Sequence, residues 1–254
     1  MEKQPQFPAE EVTLPSKGLL YPKDSTLRKG VIEMKYMTAR EEDILTNPNF
    51  IKNGTAIDKL LKSIIVTKFE YKDLLIGDKN ALMLAARILG YGPEYTIKKS
   101  HPETGNEEEA VIDLTKVKDK ELDKTLVKNG KNEFEFILPF SKVNITFKFQ
   151  TQKDELKIEK EIEGLKKINS NVSESTIRLT HTILSINGDY NPKTIRDYVN
   201  NSLLARDARA LRQYTDKIQP AIEMKADVEY KDGHIESNVF FPISLSFFWP
   251  DAGV

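Results

Sequence analysis

The strongest local constraint on this chain lies near its end, where Asp232-Gly233 stands between two apolar alternations. Asp-Gly is a strong hairpin signal because glycine adopts positive φ without steric cost. Ile222, Met224, Ala226, Val228 and Tyr230 alternate before it, and Ile235, Val239, Phe241 and Ile243 follow. A two-residue turn pairs Tyr230 with Ile235, Ala226 with Val239, Met224 with Phe241 and Ile222 with Ile243, so the apolar faces coincide. Only Val228 against Ser237 departs. The hairpin leads directly into Leu245-Ser246-Phe247-Phe248-Trp249-Pro250, which holds the only Trp of the chain. A C-terminal stretch is ordinarily frayed and polar, whereas side chains of this kind anchor cores and interfaces. The tail therefore has to be docked, on its own domain or on a neighbouring subunit.

The same reasoning divides the rest of the chain. Pro5, Pro8, Pro15 and Pro22 interrupt any helix, and Gly18 and Gly30 supply turns. Residues 1–35 therefore read as an extended N-terminal arm with a short strand at its end. Residues 36–93 read as helical. Thr38-Ala39-Arg40-Glu41 has the form of a capping box, and that helix stops by Asn47-Pro48. Thr55 caps a second helix with Ile57, Leu60, Leu61, Ile64 and Ile65 on one face. Asp78 caps a third, Ala81 to Leu89, apolar nearly all round and so central.

At residues 94–150 the period changes to two. Tyr95 and Ile97 with Val111 and Ile112 flank a turn-rich tip, and Phe134, Phe136, Leu138 and Val143, Ile145, Phe147, Phe149 form two further runs. An inserted antiparallel β region is expected there. Residues 151–220 return to helix and are expected to pack with 36–93. Asp154 to Ile168 forms one helix, and another runs from Ser173 to Asn187-Gly188. Asn191-Pro192 caps a third, and Ser202 a fourth with Leu204, Ala208 and Leu211. Residues 221–254 are the hairpin and an aromatic C-terminal arm. This order gives α+β: a helical body with an inserted small antiparallel β-sheet, a C-terminal β-hairpin and extended N- and C-terminal arms.

Charge and composition narrow the function. The chain has 38 basic against 39 acidic residues, whereas a general nucleic-acid or membrane-surface binder shows a basic excess. Cysteine is absent, which removes disulfides and thiolate chemistry. No apolar run approaches the ~18 residues of a spanning helix, and Met1-Glu2-Lys3-Gln4-Pro5 lacks a signal-peptide core, so a soluble, cytoplasmically made chain is expected. His101, His181 and His234 stand far apart, and no phosphate-binding glycine loop, nucleophile elbow or HExxH occurs. No enzyme activity, cofactor or metal is expected. Arg206, Arg209 and Arg212 recur at steps of three, forming a basic ridge beside an apolar stripe. It reads either as a solvated face with Asp207 nearby or as bidentate anchors for a partner's carboxylates.

Several motifs carry a family resemblance. Leu14-Pro15-Ser16-Lys17-Gly18 with Tyr21-Pro22, then Met37-Thr38-Ala39-Arg40-Glu41-Glu42-Asp43-Ile44-Leu45, then Gly54-Thr55-Ala56-Ile57-Asp58-Lys59-Leu60-Leu61, resemble the baseplate hub proteins of T-even-type contractile-tailed phages. That family includes a hub subunit and a hub-assembly catalyst. Gly77-Asp78 leading into Ala85-Ala86-Arg87-Ile88-Leu89-Gly90-Tyr91-Gly92 and Tyr95 extends the match, as does Phe247-Phe248-Trp249-Pro250. Some relatives carry a Cys pair where this chain has His101-Pro102-Glu103-Thr104-Gly105, so no zinc knuckle is expected.

The resemblance implies a non-enzymatic structural component of a contractile phage tail baseplate, a hub subunit that binds its neighbours through terminal arms. The alternatives are a transient hub assembly factor absent from the mature virion and, behind it, a nucleic-acid-associated protein using the arginine ridge. Expected partners are other hub or wedge proteins, or a second copy in a symmetric ring, with no nucleic acid, membrane or small-molecule substrate. The expected location is the virion tail baseplate, with the host cytoplasm during assembly. Contacts are expected at Leu14, Pro15, Tyr21, Pro22, Arg206, Arg209, Arg212, Phe247, Phe248, Trp249 and Pro250.

Overall fold

In the computed structural model, which describes residues 8–120, 122–127, 130–168 and 172–248, β1 (Ala9–Thr13) pairs antiparallel with β2 (Val31–Lys35). The loop between them does not reach away as an arm. It folds back at Gly18, whose φ is +74° and where a Cβ would lie 2.3 Å from the Arg28 carbonyl oxygen. Only glycine fits there. Leu14, Leu20, Tyr21 and Leu27 are buried in the main core, so the proline-rich start belongs to the body over its described part.

Four helices follow: α1 (Ala39–Thr46), α2 (Pro48–Lys52), α3 (Ala56–Ile64) and α4 (Ile76–Tyr91). Asn47 closes α1 and opens α2, its side chain accepting the amides of Asn49 and Phe50. In α3 the expected stripe buries Leu60, Leu61 and Ile64. α4 begins at Ile76 rather than Ala81, with Leu75 at its N-cap. Asp78 therefore sits inside the first turn, where it is fully buried and engaged by Ser16 and Tyr21 rather than by its own helix.

The expected β region divides between two sheets. β3 (Glu94–Ser100) and β4 (Glu107–Asp113) join the C-terminal strands β8 (Lys225–Tyr230) and β9 (Ile235–Phe240) in an antiparallel sheet of order β3-β4-β8-β9. β5 (Phe134–Ile137) and β6 (Asn144–Phe147) instead pair with β7 (Ile183–Ile186). β7 lies where a helix was expected to continue to Asn187-Gly188. The helix stops at Thr182 because Ile183 and Ile186 complete the open edge of β6, opposite Phe147 and Ile145. Such β-branched residues suit a half-buried pleated surface better than a helix end.

The second helical stretch comprises α5 (Gln152–Ile168), α6 (Glu174–Thr182), α7 (Pro192–Asn201) and α8 (Ala205–Ile218). Asn191 caps α7 through the Lys193 amide. Ser202 closes α7 instead of opening α8, which begins after Leu204. Ile158, Ile162 and Ile177 make a small satellite core between α5 and α6; otherwise one core runs through helices and sheets alike. With its eight helices and nine strands among the described residues, the fold is α+β.

The C-terminal hairpin forms, with a local change of register. Ala226 faces Val239 as expected, but Glu229, not Tyr230, faces Ile235. A bulge at Ser237-Asn238, with Asn238 at φ 60°, adds one residue to β9. Tyr230 and His234 then close a three-residue loop, with Gly233 at φ +87°. The shift leaves Ile235 exposed while Val228 and Tyr230 stay buried.

Beyond the hairpin, Phe247 and Phe248 are both 0% exposed. Phe247 packs edge-on to Tyr95 with ring centroids 4.9 Å apart and stacks on Phe241 at 6.2 Å. Arg87 Nε donates to the Phe247 carbonyl at 3.0 Å, while its other nitrogens donate to the carbonyls of Gly92 and Glu94. Up to Phe248 the aromatic tail completes its own core. Phe247→Ala is expected to cost about 3–5 kcal/mol of unfolding free energy in urea denaturation; a cost below about 1 kcal/mol would mean the tail is not part of the cooperative unit.

Glu41 ties three elements together. Its carboxylate accepts from the Thr38 amide at 3.0 Å and hydroxyl at 2.6 Å, from Ser63 of α3 at 2.7 Å and from Lys35 of β2 at 3.1 Å. Burial alone would raise its pKa, but these donors outweigh burial and lower it from 4.5 to about 2. A carboxyl depressed on folding stabilises the native state above its unfolded pKa, and that stabilisation disappears as pH falls through the folded value. The window is therefore pH 4.5 down to about 2. At about 1.4 kcal/mol per tenfold in proton affinity, on the order of 3 kcal/mol is at stake. Glu41→Gln should flatten the acid limb of the stability–pH curve in this window, as read by denaturant midpoints at successive pH values.

Candidate partner interface

α8 is held to the body by two contacts of different kind. Ala208, Leu211 and Ile218 bury its apolar face. Asp207, also 0% exposed, turns inward to the loop joining β5 and β6, accepting the amides of Phe140 and Ser141 at 2.9 Å each. Burial opposes its charged form, yet those amides outweigh it and hold the carboxyl below its ordinary range. The acid that could have neutralised the arginine ridge is thus engaged elsewhere.

Arg206, Arg209 and Arg212 are all exposed. Arg206 lies over the Phe140 ring at 5.4 Å, and Arg212 reaches the Ser175 hydroxyl of α6 at 3.4 Å. Among the described residues none of the three pairs with a carboxylate, in contrast to Arg178 and Arg196, which grip Glu155 and Glu161. Apolar surface flanks the row: Phe140 is 52% and Leu204 50% exposed. At the Arg212 end α6 and α8 enclose a cleft of about 640 Å³. It opens beside the start of α4, where the Pro220 carbonyl approaches Gly77 so closely that a Cβ would meet it at 1.8 Å.

The residues expected to touch partners fall into three groups. Leu14, Pro15, Tyr21, Phe247 and Phe248 are buried within this chain. Pro22 and the three arginines are on its surface. Trp249 and Pro250 lie outside the described residues. Among the described residues no hydrogen bond, ion pair or ring contact joins Leu14, Pro15, Tyr21 or Pro22 to Arg206, Arg209 or Arg212.

The cleft and Phe140 were not anticipated. The cleft depends on where α6 ends, which the apolar run Ile183-Leu184-Ser185-Ile186 obscured. A phenylalanine in the turn segment Pro139 to Lys142 was the available sign of apolar surface beside the ridge. Two of the three histidines, expected to stand far apart, come together in the fold. His101 and His234 lie at the hairpin tips with ring centroids 5.1 Å apart, whereas His181 contacts Glu161 at 2.8 Å.

Beyond this α+β body and its exposed arginine row, the sequence supplies the class: residues 11–249 match the family described as T4 bacteriophage base plate protein. The chain belongs to that family, and so to the baseplate of a phage tail, where it contacts other baseplate proteins. No curated protein and no solved structure matches it.

Substitutions separate the two contacts of α8. Asp207→Ala removes the acceptor of the Phe140 and Ser141 amides and should cost about 2–4 kcal/mol in urea denaturation. Arg209→Ala should change stability by less than about 0.5 kcal/mol, as for an ordinary surface position. A comparable loss in both would make the arginine row part of the fold.

Proposed function

We propose that the chain is a structural, non-enzymatic hub subunit of a contractile phage tail baseplate that binds neighbouring hub or wedge proteins. The observation that carries this reading is the row of three exposed guanidinium groups on α8 that meet no carboxylate among the described residues, in a chain of the baseplate family. Guanidinium is the side chain best suited to a partner's carboxylates, because its planar fork engages them bidentately. The fully buried charged side chains Glu41, Asp78, Arg87 and Asp207 point the same way, since each is engaged in holding backbone or hydroxyl groups of the fold.

The terminal arms enter through residues other than the buried ones. Pro22, with Lys23 and Asp24, is exposed where the first loop turns over the surface. Trp249 and Pro250 directly follow the anchored Phe248 and carry the proposed C-terminal contact. A tail tied firmly up to Phe248 would present them from a fixed point, which limits the entropy lost on binding.

Mass spectrometry of purified particles tests the reading. A hub subunit is recovered from intact tails at constant stoichiometry to the other baseplate proteins. Recovery from infected cells but not from particles would identify an assembly factor instead.

A further inference from the structure

We propose that the cleft between α6 and α8, together with the Arg206–Arg209–Arg212 row, is the docking site for an extended acidic segment of another protein. The segment seats an apolar side chain in the cleft and lays its carboxylates along the row. This rests on the reading of the chain as a protein-binding baseplate subunit and supplies the chemistry of the partner.

Charge accounting within the cleft leaves two groups without an ion pair among the described residues, the cation Arg212 and the acid Asp216. Arg178 lines it but is held by Glu155 through two contacts of 2.7 Å. Lys148 lines it and pairs with Asp154 at 2.7 Å, and Glu174 pairs with Lys166 at 2.9 Å. Arg212 is the lining cation that meets no carboxylate among the described residues. The hydroxyl of Thr215, another lining residue, is buried with no hydrogen-bond partner among the described residues. Leu75, Phe149, Leu179 and Leu211 form the apolar floor.

The dimensions fit an extended chain. Arg206 to Arg212 spans about 9 Å of helix axis. Side chains on one face of an extended segment recur about every 7 Å, so two carboxylates of one short segment match the row. Asp207 is turned inward, and Asp216, which also lines the cleft, accepts from Gln219 at 3.3 Å and forms no ion pair with the row among the described residues.

The same features disfavour a nucleic acid. A phosphate backbone has no apolar group for the cleft. Arg206 lies over the ring of Phe140, the exposed aromatic beside the row, at 5.4 Å and would compete with a stacked base for it. The chain as a whole carries a net charge of -1, which gives no long-range attraction for polyanions.

The test uses the full-length protein against an array of short overlapping peptides covering the phage's baseplate proteins, with a single-stranded oligonucleotide as comparison. Retained peptides are re-measured in solution by fluorescence anisotropy. They should carry Asp or Glu flanking an apolar residue. Arg212→Gln should weaken them about tenfold or more. Ser175→Trp, an exposed position on the cleft wall, should weaken them similarly with the melting temperature unchanged. Replacing Asp and Glu of the peptide by Asn and Gln should remove the Arg212 effect.

The inference is overturned if no peptide is retained, if both variants bind as the parent does, or if the oligonucleotide is preferred. Its failure is distinguishable from failure of the hub reading. A chain present in particles whose loading ignores Arg212→Gln sinks the docking site alone. Cleft-dependent peptide binding by a chain absent from particles sustains the docking site and sinks the hub subunit.

Discussion

The contact on which the architecture turns is the buried carboxylate of Asp78. It accepts three hydrogen bonds from the N-terminal loop: the Ser16 amide at 2.9 Å, the Ser16 hydroxyl at 2.7 Å and the Tyr21 hydroxyl at 2.6 Å. Tyr21 in turn accepts the Leu75 amide at 3.0 Å, one of the donors that the start of a helix leaves without an internal partner. No cation pairs with Asp78 among the described residues, so its charge is held by these dipoles and by its place in the first turn of α4. Burial pushes its pKa up even against those donors. Burial, and then the Asp78 charge, push the Tyr21 phenol well above its ordinary value, so it stays a donor. A buried carboxylate is costly to leave unsatisfied; the loop therefore has one position in which the centre of the molecule is satisfied.

A second tie of the same kind sits at the other end of α4. Arg87, fully buried, donates to the carbonyls of Gly92, Glu94 and Phe247. It thereby fixes the helix end, the start of β3 and the aromatic tail to one another. α4 is thus gripped at its first turn by the beginning of the chain and near its last turn by the end. The motifs that carry the family resemblance meet here in pairs. Leu14-Pro15-Ser16-Lys17-Gly18 with Tyr21 closes on Gly77-Asp78, and Arg87 with Tyr95 closes on Phe247-Phe248. Each supplies half of a buried contact.

This explains which parts of the fold were legible. Helix existence, the Asn191 cap, the hairpin and the α+β order follow from periodicity and turn chemistry, which act over a few residues. Three features resisted for tertiary reasons. Asp78 looks like a helix cap because caps and first-turn acids have the same composition, and only the distant Ser16 and Tyr21 decide between them. Ile183 to Ile186 could extend a helix or form a strand, and the open edge of β6 decides. The hairpin register is moved by the bulge at Asn238, where no glycine announces a positive φ. The aromatic tail was ambiguous for the same reason: apolar residues state that burial is needed, not against which surface.

The arginine row was visible as a pattern, but its meaning depended on Asp207. Had that carboxylate faced solvent beside the guanidinium groups, the row would have been a self-compensated helix face worth little to a partner. It faces the loop between β5 and β6 instead, where two amides hold it ionised. One residue thus does two things: it anchors α8 to the three-stranded sheet and leaves three cations on the outer face without a carboxylate partner among the described residues. Terminal motifs bury themselves to make the body, and under the proposed docking the charge on α8 is what the body offers to its neighbours.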